Sequence, residues 1–329
     1  MKDLNYVVPF FLVALSAFVL PMLGSSSLLV NPVNAIVGLE VKIPVTARTA
    51  SSLGANRRGS GIVIDDEGRV LTIGYLILEA SKVSLVDVDG KTVPATVIGY
   101  DGDTGFGIVQ ALTPLQAEPL ALGDSSQLQV GSQLQVVSRE IDSVLQEVIV
   151  MDRENFAGYW EYLLEDALFT TPAVPAFAGA GLINDQGELV GIGSLFVRRP
   201  FADQLVPANM FVPIEALRPI LSELIEQGQV SKPPKPWLGL TVVEQYGRVL
   251  VQSVGKNSPA SQSGLAEGDL ILKINEVAVS DLEQLFRAIW GQGEAGVRVP
   301  MTILKGNQLQ QLEVVSADRR NFYRLQQYD

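Results

Sequence analysis

Residues Thr170–Ile192, TTPAVPAFAGAGLINDQGELVGI, decide how this chain is read. A run of small residues tips into two apolar stretches, Leu182-Ile183 and Leu189-Val190-Gly191-Ile192, separated by Asn184-Asp185-Gln186-Gly187. Asn, Asp and Gly tolerate positive φ, so a cluster of them between apolar runs predicts a tight hairpin. The pattern recurs upstream. Gly59–Ile64, Asp65–Gly68 and Arg69–Thr72 read as strand, turn and strand, and Val83–Val88 with Thr92–Ile98 form another hairpin about Asp89-Gly90. Short strands at such regular spacing over residues 41–137 predict an all-β barrel.

Composition bounds the function. With 329 residues, 47% hydrophobic and 18% charged, the chain can bury substantial cores in two or three domains. A net charge of −12, with no basic run longer than a pair such as Arg57-Arg58 or Arg198-Arg199, argues against nucleic-acid partners. The absence of cysteine excludes disulfides and thiol nucleophiles, and the absence of histidine removes the usual general base and the commonest transition-metal ligand. Asp101 and Asp103 share a turn, yet they lack the further oxygen ligands at set spacing that a calcium loop requires. No metal and no cofactor is therefore expected.

Between Asp3 and Glu40 there is no charged side chain, and Tyr6–Leu23 is almost wholly apolar. About 20 apolar residues cross a hydrocarbon core, which predicts a membrane helix over Leu4–Leu23. A cleaved signal peptide ending near Val33-Asn34-Ala35 is the competing reading.

Three stretches carry a resemblance: GSGIVIDDEGRVLTIGYLIL at residues 59–78, LALGDSS at 120–126, and the opening stretch with its Gly187–Ile192 strand. Together they resemble the HtrA/DegP-type trypsin-like serine proteases. That resemblance implies a mainly β fold: an N-terminal transmembrane helix, then a trypsin-like double β-barrel over residues 41–225. Carried across residue by residue, the family's catalytic His falls on Tyr75, its Asp on Gly105 and its Ser nucleophile on Ala178. A methyl group cannot attack a carbonyl, and a tyrosine that titrates near about 10 is a poor base. No lysine lies between Lys91 and Lys232 to activate Ser194, Thr170 or Thr171 instead. The expectation is a chain that is not an enzyme, a pseudoprotease lacking all three triad residues. Ser138–Ile141 replaces the family's pocket loop, and Tyr159-Trp160-Glu161-Tyr162 reads as core packing, with a contact surface as the alternative.

Gln227–Pro236, QGQVSKPPKP, reads as a stiff linker that holds two domains apart. Beyond it, Trp237–Val242, Val249–Val254 and Gly268–Asn275 read as strands, and Ser280 as the N-cap of a helix over Asp281–Trp290. Strands at Val297–Leu304 and Gln310–Val315 complete the unit. WLGL at 237–240 with SPA…SGL…GDLILKIN at 258–275 is similar to an HtrA-type PDZ domain, an α+β fold, over residues 237–317. The resemblance implies a peptide site built from Trp237, Leu238, Gly239, Leu240, Val242 and Leu285, which takes carboxy-terminal peptides by strand addition. The tail from Arg319 onward either docks or frays.

The whole reads as a membrane-anchored, exported protein that binds peptide or protein partners as a scaffold, adaptor or accessory subunit. A fixed structural subunit of a larger membrane complex is the alternative, and a homotrimer is the assembly the resemblance offers.

Overall fold

The computed structural model describes residues 31–140, 143–201 and 203–323. The first six strands, β1 (Ile36–Lys42), β2 (Asn56–Val63), β3 (Arg69–Ile73), β4 (Lys82–Val86), β5 (Thr92–Tyr100) and β6 (Phe106–Ala111), close a barrel in the order β1-β2-β3-β6-β5-β4. The next six, β7 (Gln133–Arg139), β8 (Ser143–Gly158), β9 (Tyr162–Thr171), β10 (Gly181–Ile183), β11 (Leu189–Phe201) and β12 (Gln204–Pro213), close a second barrel in the order β10-β11-β12-β9-β8-β7. The carboxy-terminal sheet runs β13 (Leu240–Gln245), β14 (Arg248–Val254), β15 (Leu270–Ile274), β17 (Arg298–Lys305) and β18 (Gln308–Val315), with β16 (Val277–Ala278) paired to β15. Among the described residues the helices are short: α1 (Ala50–Leu53), α2 (Leu221–Gln227), α3 (Pro259–Gln262), α4 (Leu282–Trp290) and α5 (Arg319–Phe322).

One local device makes three of the turns. The Oδ1 of Asp65 accepts the amides of Glu67 and Arg69 at 3.0 and 3.1 Å, and Asp87 does the same for Asp89 and Lys91 at 3.2 and 2.9 Å. Asn184 does it in the opening stretch, taking the amides of Gln186 and Glu188 at 3.1 and 2.8 Å, while Gly187 adopts a φ of 79°. A short polar side chain thus replaces a strand acceptor where the chain reverses. Phe106, Phe169 and Phe211 are fully buried inside the barrels, and Phe286 of α4 fills the carboxy-terminal core with Leu285 and Ile289.

Several expectations shift. The first barrel begins at Ile36, five residues ahead of the boundary read from sequence, because Ile36, Val37, Leu39 and Val41 are buried and β1 pairs with both β2 and β4. β8 continues past Met151 to Gly158, so Tyr159–Glu161 is the tip of a long hairpin; Tyr162 joins the barrel core with Trp160 packed against it, as expected, while the Tyr159 side chain is exposed. The helix expected from Asp281 starts one residue later. Asp281 itself is the N-cap, accepting the Gln284 amide at 2.7 Å, while Ser280 donates its amide to Gln284 Oε1. The linker is no spacer. Lys235 meets Asp103 of the first barrel at 2.9 Å and lies 4.3 Å over the Trp290 ring, which ties the sheet domain to the barrels. The predicted membrane helix at Leu4–Leu23 lies outside the described residues, and among those described no helix is long and apolar enough to cross a membrane.

Candidate functional site

Two places could carry function: the seam between the barrels, and the groove of the carboxy-terminal sheet. The seam gathers the three positions the sequence singled out. Tyr75 sits in the short 3₁₀ turn Gly74–Leu76 that follows β3. Its carbonyl accepts from the buried Arg57 Nη1 at 2.5 Å, and the same nitrogen reaches Leu78 O at 3.0 Å, so one guanidinium fixes the whole turn. Gly105 joins it through its carbonyl, which accepts the Gly74 amide at 2.7 Å. Ala178 is stitched in from the second barrel, its carbonyl accepting the Ser60 amide at 2.8 Å. Gly179 and Gly193 complete the seam: the Gly179 amide donates to Gly193 O at 2.9 Å, and the Gly193 amide to Ala180 O at 2.7 Å.

What these positions offer chemically is limited. Tyr75 donates its hydroxyl to Ser194 O at 2.8 Å across the seam, and burial pushes that hydroxyl far above the ordinary tyrosine range. Its proton is committed to holding the barrels together. Gly105 has a φ of 86°, a conformation in which an L side chain is strained. Asp101 spends its Oδ2 on the amide and hydroxyl of Thr104, at 2.8 and 2.7 Å. With no histidine in the chain, hydrolysis at this seam cannot run through a Ser-His-Asp relay.

The groove is built differently. β13 is the outer strand of its sheet, so one edge of backbone amides and carbonyls has no strand partner within the sheet. Just before it, the loop at Leu238, Gly239 and Leu240 turns three amides toward one point, with Gly239 at a φ of 80°. That point is occupied by the carboxylate of Glu161. Its Oε2 accepts from Leu238 at 2.9 Å, and its Oε1 accepts from Gly239 at 2.6 Å and from Leu240 at 2.8 Å. Burial pushes the Glu161 carboxyl above its ordinary range, opposed by the amides of Leu238 and Leu240, by the Arg319 guanidinium and by the Gly239 amide. The Val242 amide donates to Tyr159 O at 2.9 Å.

Of the residues read from sequence, Leu238, Gly239, Leu240 and Val242 converge through their amides, and Leu285 of α4 lies fully buried beneath them in the same core. Trp237 stands apart: it is buried against Phe322 and Tyr323, with ring centroids at 4.4 and 6.2 Å. The tail therefore docks as far as Tyr323. Sequence reading gave no role to Arg57 or Leu163, and weighed Tyr159 and Glu161 only within an aromatic cluster read as core packing or a contact surface. An acidic residue at the tip of an aromatic hairpin was the one visible signal, and nothing local to it points to a loop 77 positions away.

Comparison with known proteins agrees with this architecture. The family described as "Trypsin-like peptidase domain" matches residues 59–192, and that described as "PDZ domain" matches residues 236–315. Protease Do-like 1, chloroplastic, of Arabidopsis thaliana is 26% identical over 78% of the chain. A probable periplasmic serine endoprotease DegP-like of Chlamydia trachomatis is 26% identical over 75%. The chain spans 62% and 51% of the length of these two relatives. Among solved structures, the HtrA-type protease AlgW with decapeptide aligns at a TM-score of 0.53 and 20% identity, covering 87% of this chain and 96% of that one. At that identity the likeness speaks for the fold alone.

The chain is thus similar to the HtrA-type proteins, with a region that matches a trypsin-like peptidase domain followed by one that matches a PDZ domain. One expectation is overturned by these findings. The relatives are named serine proteases and endoproteases, which points to a protease and corrects the reading of the chain as no enzyme. That reading claimed more than its residues carry: Tyr75, Gly105 and Ala178 exclude one relay of proton and nucleophile, and a missing relay does not remove a chain from a class of enzymes.

Proposed function

We propose that this HtrA-like chain works through its PDZ domain, binding the carboxy-terminal segments of peptides or partner proteins as a scaffold, adaptor or accessory subunit. The observation that carries the proposal is the convergence of the Leu238, Gly239 and Leu240 amides on one carboxylate at 2.6–2.9 Å. Three N–H donors in a buried loop hold an anionic group far more firmly than water-exposed donors would. A peptide's terminal carboxylate would take that place, its backbone pairing with β13 from Val242 onward and its last side chain lying over Leu285. Trp237, wedged against the tail, holds the loop in position.

The site of action in this reading is the exported face of a membrane, with Leu4–Leu23 as anchor and a homotrimer as the assembly; relatives named as periplasmic endoproteases support the exported location. The second reading, a fixed subunit of a membrane complex, draws support from a groove that already holds a carboxylate.

The test uses the full chain in mild detergent and two pools of fluorescein-labelled octapeptides. One pool carries free carboxylates behind an apolar last residue, and the other is amidated. Binding of the free acids alone is expected, lost in Gly239→Ala, whose new methyl would lie 2.3 Å from Ser258 Cβ. Equal binding of acids and amides would overturn the proposal. Co-purification from native membranes at fixed stoichiometry, with no peptide binding, would favour the fixed subunit.

A further inference from the structure

The tip of the β8–β9 hairpin supplies each component that a bound carboxy-terminal peptide would bring. Glu161, 4% exposed, places its side-chain carboxylate on the three loop amides. Tyr159 offers its carbonyl to the Val242 amide, the first bond of a strand added to the open edge of β13. Leu163 and its cross-strand partner Ala157 pack into the PDZ core beside Leu238, Leu240, Val242 and Leu285. The far side of the groove is closed by polar contacts to α4: Asn155 Nδ2 donates to Glu283 at 3.0 Å, and Arg287 meets Glu165 at 2.9 Å. Carboxylate, strand and apolar side chain are all present, contributed by the chain's own second barrel.

We infer that Glu161 is a built-in stand-in for a peptide's terminal carboxylate, so that the second barrel keeps the PDZ groove closed until a partner's carboxy-terminus displaces the hairpin. The inference rests on the peptide-binding reading for its partner and on geometry alone for the closed state. Closing is intramolecular, so a free peptide competes with a tethered rival, and its apparent Kd is its intrinsic Kd divided by the fraction of chains with the groove open. If the open groove is populated one part in a hundred, the apparent affinity falls about a hundredfold. Peptide binding and release of the PDZ domain from the barrel are then one event, which turns a binding module into a switch. Glu161 also adopts a φ of 57°, the left-handed region that favours glycine.

Two variants separate the carboxylate from the turn. Glu161→Gly keeps the left-handed backbone without strain and removes the side chain. Glu161→Gln keeps one acceptor oxygen but turns an NH₂ toward the Leu238 amide. Hydrogen exchange on the full chain is expected to show at least tenfold faster exchange at Leu238, Gly239 and Leu240 in both variants, with global unfolding retained. The free-acid octapeptide pool should bind Glu161→Gly at least tenfold more tightly than the unaltered chain. The inference is overturned if those amides exchange equally in all three proteins, or if the pool binds the unaltered chain and Glu161→Gly with equal affinity. Faster exchange with no peptide bound by any variant supports the self-occupied groove and removes the peptide-partner reading instead.

Discussion

Leu163 is the side chain whose truncation tests the docking of the two domains without touching the carboxylate. It belongs to β9 by pairing, yet it is 8% exposed and packs into the PDZ core. Truncating a buried leucine to alanine removes its transfer free energy and leaves a cavity, together about 2–5 kcal/mol. In Leu163→Ala that loss falls on the docked state, since the undocked PDZ domain never held the side chain. A loss of about 2 kcal/mol, the lower end, lowers the docking equilibrium about thirtyfold. Hydrogen exchange reads it directly. The amides of Leu238, Gly239, Leu240 and Val242, all bonded to the hairpin, should exchange about thirtyfold faster, while amides inside β14 and β15 keep their rates. A urea titration in parallel reports the stability of the barrel. The reasoning fails if the barrel loses about 2–5 kcal/mol while the four loop amides exchange as before, because Leu163 would then serve only its own barrel.

Three further outcomes are expected. Gly179→Ala places a methyl 2.0 Å from Ser60 O at a φ of 72°, which adds about 1–2 kcal/mol of left-handed strain to about 1–3 kcal/mol of overpacking, so its urea midpoint should drop clearly; an unchanged midpoint would contradict the seam geometry. Ala178→Ser should leave the rate of unfolded-casein cleavage by the full chain unchanged, whatever that rate is, since the new hydroxyl meets no histidine and the Tyr75 hydroxyl is held by Ser194 O; a faster rate would reveal a base at the seam. The third concerns pH. Burial raises the folded Glu161 above its ordinary 4.5, so the folded chain holds a proton that the unfolded chain releases. Its contribution is full below about 4.5 and is lost as pH rises through the folded value, so the Tm of the unaltered chain should fall relative to Glu161→Gln between those limits; a rising difference would refute the assignment.

The sequence alone indicated a β-barrel over residues 41–137, the strands and helix after residue 236 and the alanine at position 178, while the second barrel came from the family resemblance. These signals are local: a turn such as Asn184–Gly187 is made by side chains within four residues, and the strands around it by alternation over a few more. Local signals also left boundaries loose, as at Ile36 and at the Asp281 cap, where pairing and a side-chain oxygen chose between adjacent residues. Other features were decided only by tertiary structure. Proline and lysine in residues 227–236 suggested separation, but Lys235 found Asp103 and Trp290 once the chain had folded back. Glu161 gave no hint of its destination. A carboxylate in a hairpin tip is solvated wherever the local chain is concerned, and only the approach of a loop 77–79 residues further on turned it into the occupant of a binding site. Periodicity and turn chemistry reach a few residues along a chain, whereas the packing of one domain on another depends on surfaces that exist only after both have folded.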